Sequence, residues 1–178
     1  MRVATRQFFF APFARLVTLA VVFAASICSA QDRRQATNAT KDQDVIKELI
    51  SMYAKAADEA HPALASRVWC DSSEDSLINP AGRWHGLQQI LGFYRHEMGD
   101  TYSSRILKIT DVFVQVYTDA AWAEFSWTFE ATRKKDGSAV SFHGMETQIY
   151  RKNHNSWCLV HVHYSALPAE KGREQMNK

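Results

Sequence analysis

Near residue 100 the spacing of apolar side chains changes from helical to strictly alternating, and that change limits the fold more than any other feature of the chain. Before it, Val45, Ile46, Leu49, Ile50, Tyr53, Ala56, Ala57 and Ala60 recur at intervals of three and four. Thr40 and Gln43 have capping-box spacing beside Asp42 and Asp44, so a helix is predicted to start there and to end at His61-Pro62. Pro62 opens a short second helix with Leu64, Val68 and Trp69. Residues 77–84 read as two extended pieces around Asn79-Pro80-Ala81-Gly82, and Gly86 leads into a third helix that Gly99-Asp100 ends. Four alternating runs follow, at 105–117, 121–131, 140–151 and 157–164. The breaks at Thr118-Asp119, Asp136-Gly137 and Asn153-His154-Asn155 are hairpin-sized. The expected class is α+β: N-terminal helices packed on a curved antiparallel sheet.

The leading residues differ in composition from the rest. Arg2, Arg6 and Arg15 precede or flank an apolar run from Leu16 to Ile27, and Cys28-Ser29-Ala30 supplies small residues for a signal peptidase. The run is short for a membrane span, which needs about 20 apolar residues. Residues 1–30 are therefore expected to be a signal peptide cleaved after Ala30, 31–43 a flexible leader, 44–168 one domain and 169–178 a disordered tail. The mature protein would then be exported, periplasmic or secreted, with no stable membrane anchor. Cleavage removes three arginines and no acid, taking the formal charge from +2 to −1. A near-neutral chain without a basic stripe does not suit nucleic acid. Cys70 and Cys158 remain, and either a disulfide or two buried thiols fits the sequence.

The strand at 121–131 has two unlike faces. Its odd positions, Ala121, Ala123, Phe125, Trp127 and Phe129, are all apolar, whereas its even positions mix Trp122 with Glu124, Ser126, Thr128 and Glu130. One side suits a concave face under the helices and the other a convex face against a second subunit, so a homodimer is expected. Phe125, Trp127 and Phe129 are assigned to that dimer contact.

Helices, a short hairpin, a helix and a long meander resemble the nuclear transport factor 2-like, or SnoaL-like, cone fold. The residues that carry the likeness are Gly144-Met145-Glu146-Thr147-Gln148-Ile149-Tyr150-Arg151 and Trp157 to Ser165. They are similar to bacterial relatives of the calcium/calmodulin-dependent kinase II association domain. The resemblance implies a cone-like roll enclosing a pocket. Where the association domain places three arginines, this chain has Ser126, Gln148 and Tyr164. With Trp122 and Tyr150 beside them, these imply a pocket for an uncharged or weakly polar small molecule.

Glu124 and Glu146 share strand parity with Ser126 and Gln148, so both are candidate pocket carboxylates, with Tyr164 as the third catalytic candidate. A solvent-facing strand glutamate is the plainer alternative for each. His161 and His163 fall on one strand face, opposite in parity to Tyr164, and without a carboxylate or cysteine partner they argue for hydrogen bonding rather than a metal site. There is no nucleophile elbow, glycine-rich phosphate loop or C-x-x-C pair, so no cofactor is expected. Two functions fit: a small-molecule-binding or assembly module, or a cofactor-free lyase or isomerase, dehydratase- or ketosteroid-isomerase-like, that uses a pocket carboxylate.

Overall fold

A computed structural model describes residues 14–167. The chain forms two units, Met1–Thr40 and Lys41–Lys178. The start of the expected signal peptide and the tail at 169–178 lie outside the described residues. Helix α1, Ala14–Glu59, runs through the segment expected to be a leader and through the expected capping box. The physical reason is an absence of breakers, since no glycine or proline lies between Pro12 and Pro62. Asp42 therefore acts within a helix, where its carboxylate accepts hydrogen bonds from Lys152 Nζ at 2.7 Å and Trp157 Nε1 at 2.8 Å. Among the described residues no helix is long and apolar enough to cross a membrane.

After α1 come α2, Pro62–Ala65, strands β1, Ser76–Asn79, and β2, Gly82–His85, and helix α3, Gly86–Phe93. His61 caps α2 by accepting the Leu64 amide on Nδ1 at 3.0 Å. Gly86 has φ of +72° and donates its amide to the Asp75 carbonyl at 2.7 Å, a left-handed conformation that glycine adopts without strain. Helix α3 passes directly into a π-helical segment, Tyr94–Asp100. Strands β3, Tyr102–Val116, β4, Ala120–Arg133, β5, Ala139–Asn153, and β6, Ser156–Ala166, complete one sheet in the order β2-β1-β6-β5-β4-β3. The meander is antiparallel as expected, but β1 pairs with β6 in parallel, so the sheet is mixed.

Ile46, Leu49, Ile50, Tyr53, Ala56 and Ala57 on α1 pack against the concave sheet face. That face includes Ala121, Ala123, Phe125, Trp127 and Phe129, all buried. The assignment of Phe125, Trp127 and Phe129 to a subunit contact is thus corrected. Their rings cover the protomer's own core, because a sheet facing a helix buries its most apolar row. The cysteine alternative is also resolved: Cys70 and Cys158 form a disulfide with Cα atoms 5.1 Å apart. It ties the segment after α2 to β6, where the Cys70 amide donates to the Leu159 carbonyl at 2.9 Å.

Candidate active site

Strand register decides which candidate side chains meet. In the β4–β5 pair each odd residue of β4 stands opposite an even residue of β5: Ala121 opposite Tyr150, Ala123 opposite Gln148, Phe125 opposite Glu146. Directly paired residues share a face, so Glu146, Gln148 and Tyr150 lie on the concave side. Trp122, Glu124 and Ser126 lie on the convex side, with Glu124 exposed. The expectation that even residues of both strands enter the pocket is corrected for these three. Strand β6 adds Tyr164 opposite Glu146. Glu146 and Tyr164 are therefore brought together, and Gln148 and Tyr150 lie behind Glu146 along β5.

Between the end of α1, the π-helical segment, the Asn79–Ala81 turn and the sheet lies a cavity of about 350 Å³. Phe93, Tyr94, Met98, Tyr102, Leu107, Trp127, Phe129 and Phe142 form its walls, Tyr53, Tyr164 and Glu146 reach into it, and Glu97 borders it from the π-helical segment. Among the described residues no lysine, arginine or histidine lines it. Arg105 on β3 spends its donors on backbone carbonyls. Its Nε donates to the Ala57 and Asp58 carbonyls at 3.2 Å, and its Nη1 to those of Met98 and Tyr102 at 3.1 and 2.7 Å. The guanidinium is a strut joining the end of α1 to the π-helical segment and the start of β3, not a pocket group.

Glu146 is 3% exposed, yet its carboxylate is held in one orientation. Gln148 Nε2 donates to Oε1 at 2.7 Å, and Tyr150 donates its hydroxyl hydrogen to Gln148 Oε1. Burial pushes the Glu146 carboxyl up to about 7, against the hydrogen bonds from Gln148 and Tyr53, which favour the charged form. A carboxyl group so placed exchanges its proton near neutral pH, where a general base is most effective. Burial, with the nearby Glu146 charge, also raises the hydroxyls of Tyr53, Tyr150 and Tyr164 above the ordinary phenol range. They remain neutral hydrogen-bond donors. Tyr164 packs edge-on against Trp127, with ring centroids 5.4 Å apart, and accepts a 2.7 Å hydrogen bond from Asn79 Nδ2.

Tyr53, Asn79, Tyr94 and Glu97 were not singled out by sequence reasoning. Tyr53 sits in the apolar stripe of α1 and Tyr94 in that of the third helix, where both read as core. Asn79 read only as a turn residue, and Glu97 carried no signal. His161 and His163 lie on the convex side, where His161 Nδ1 and Ser76 Oγ are 2.7 Å apart. Among the described residues no three metal-ligating side chains form a group that could hold an ion.

A helix packed on a curved, mixed six-stranded sheet, with an apolar cavity and a buried carboxylate between them, defines an α+β fold of the cone type. The model of the SnoaL-like domain matches residues 46–170, and the chain belongs to that family, within the nuclear transport factor 2-like superfamily. A superfamily protein from Salmonella enterica serovar Typhimurium LT2 has 38% identity and a TM-score of 0.70, covering 75% of this chain and 95% of that one. Two more distant structures share the fold. Hexachlorocyclohexane dehydrochlorinase LinA-type3 from Novosphingobium barchaimii LL02 has 14% identity and a TM-score of 0.62, over 73% and 92% of the two chains. The Kfla4162 protein from Kribbella flavida has 21% identity and a TM-score of 0.66, over 76% and 97%. No curated protein matches the chain.

Proposed function

We propose that this protein is a cofactor-free enzyme of the lyase or isomerase class that moves a proton on a neutral, largely apolar small molecule. The observation that carries the reading is Glu146, a carboxylate at the floor of an open aromatic cavity with its pKa raised to about 7. A pure binding module has no use for so costly a group, since buried carboxylates without a cationic partner are rare. In the proposed step the Glu146 carboxylate takes a proton from a substrate C–H bond. The electron pair left on carbon is delocalised into an adjacent acceptor group. It then either recaptures the proton at another carbon, giving isomerisation, or expels a leaving group, giving elimination. Members of the family are of ligand-binding or dehydratase and isomerase type, which is compatible with this chemistry.

The absence of cations from the lining among the described residues supports a neutral substrate over an anionic one. Tyr164, which lines the cavity, fits the finer resemblance to the kinase association domain with its arginines replaced, whereas Gln148 is buried behind Glu146 and reaches the cavity only through it. Ser126, on the convex face, does not fit it. Export is proposed from the leading sequence, and the Cys70–Cys158 disulfide supports an oxidising compartment. A homodimer is proposed through the convex face rather than through Phe125, Trp127 and Phe129.

The test is solvent exchange. Cyclic ketones and nitroalkanes of cavity size are incubated with protein in D2O, and deuterium uptake is followed by mass spectrometry. Wild type should accelerate uptake on at least one of them, and Glu146→Gln should lose roughly 10²- to 10⁴-fold of that rate. Uptake unchanged by Glu146→Gln would exclude Glu146 as the base.

A further inference from the structure

The cavity holds a second polar device whose direction is fixed by hydrogen bonding. In the turn between β1 and β2, Asn79 Oδ1 accepts the backbone amides of Ala81 at 2.7 Å and Gly82 at 3.1 Å. A backbone N–H only donates, so the side-chain amide has one possible orientation and its Nδ2 faces Tyr164. That Nδ2 donates to the Tyr164 hydroxyl oxygen at 2.7 Å. The tyrosine oxygen is thereby the acceptor in this pair, and its own hydrogen must go elsewhere. Among the described residues no hydrogen bond takes it up, while Tyr164 lines the cavity beside Glu146.

We infer that Asn79 is a positioning residue that turns the Tyr164 O–H into the cavity, and that the site's ligand is a neutral molecule with an acceptor oxygen, of carbonyl type, placed at that hydrogen. The inference rests on reading the cavity as the ligand site and, where that ligand is a substrate, narrows its class. Tyr150, the other tyrosine of the expected pocket, is committed to Gln148 and cannot play this part. Accepting from Asn79 polarises the phenol, so its remaining hydrogen is a stronger donor than that of an isolated tyrosine. A base on one side of the ligand and a directed donor on the other match the needs of an enolate-forming step. Its charge grows on the oxygen facing Tyr164 as Glu146 takes the proton.

The probe pair is 2-acetylnaphthalene and 2-isopropenylnaphthalene, alike in shape and differing in C=O against C=CH2. Wild type should bind the ketone roughly fivefold more tightly than the alkene, the worth of one net hydrogen bond. The infrared stretch of the bound, carbonyl-labelled ketone should shift to lower frequency relative to its position in hydrocarbon. In Tyr164→Phe both the preference and the shift should vanish while alkene affinity is kept. Asn79→Asp should do the same with Tyr164 still present, because a carboxylate there accepts the phenol hydrogen and turns it away from the cavity. Equal wild-type affinities, or a carbonyl shift that survives Tyr164→Phe, would overturn the inference, and the wild-type comparison stands whether or not a variant folds. A ketone preference without solvent exchange on any carbon acid would sink the enzymatic reading and leave this one intact.

Discussion

A carboxyl group enclosed by aromatic rings holds its proton more tightly than one in water, and Glu146 does so up to about pH 7. The folded pKa lies above the ordinary value of 4.5, so this group's contribution to stability is fully present below about pH 4.5 and is lost as pH rises through 7. The difference corresponds to about 3 kcal/mol, as an order of magnitude. Asp75 acts in the same sense. Burial raises its carboxyl to about 6, against the hydrogen bond from the Ser72 amide. Wild-type stability measured by urea denaturation should therefore fall between pH 5 and 8, and Glu146→Gln should flatten most of that fall. At pH 8 the variant should be the more stable by roughly 2–3 kcal/mol. A variant less stable than wild type at pH 8 would mean that the carboxylate's hydrogen bonds outweigh its burial. At this scale the sequence was partly legible. Tyr164 was a candidate from the family resemblance and Glu146 from its shared parity with Gln148, and a polar row of Glu146, Gln148 and Tyr150 on a strand is unusual enough to notice. Asn79 was not legible, because its role depends on a turn geometry that aims one amide nitrogen at a residue 85 positions away.

The described part of α1 and strand β4 bury the apolar face that their spacing marks, whereas β5 buries Glu146, Gln148 and Tyr150 and leaves Met145 and Ile149 exposed. Relative register between strands was the illegible part. Each strand's alternation is visible in the sequence, but the loop between β4 and β5 fixes which parity meets which. A slip of one residue sends every side chain to the opposite face. That is why Glu124, Ser126 and Trp122 were grouped with Glu146 and Gln148 although a sheet separates them. The parallel β1–β6 pairing was equally hidden, because partners 85 residues apart, such as Ser76 and His161, leave no local signal. Gly144 shows how closely these elements meet. It stands opposite Trp127, and a Cβ on it would clash with the Ser165 carbonyl oxygen of β6 and lie 2.7 Å from Trp127 Cζ2. Gly144→Ala should destabilise the protein by roughly 1–3 kcal/mol, the usual cost of overpacking a filled site. It should also weaken binding to the cavity, since Trp127 lines it. Chemical denaturation of the variant checks this, and unchanged stability would show that β5 and β6 can separate at this point at little cost.

For the molecule as a whole, the convex sheet face is the surface left to explain. Phe113 and Trp122 pack together there with ring centroids 5.2 Å apart, and Phe113, Met145 and Ile149 are 48%, 48% and 41% exposed. Burying such a patch against a second copy would contribute at roughly 25 cal/mol per Å² of apolar area before the entropic cost of association. Sedimentation should find a dimer that Ile149→Glu dissociates into a folded monomer. A monomeric wild type would remove the dimer from the account while leaving the cavity untouched. Glu146 is the proposed base in that cavity, and the pH dependence of solvent exchange tests this role most directly. On whichever carbon acid exchanges, the wild-type rate should rise with pH through a midpoint near 7 and then level off, as Glu146 loses its proton. In Glu146→Gln that sigmoid should be absent. A rate that rises through an ordinary carboxylate value near 4.5, or a midpoint near 7 that persists in Glu146→Gln, would contradict the assignment of Glu146 as the base.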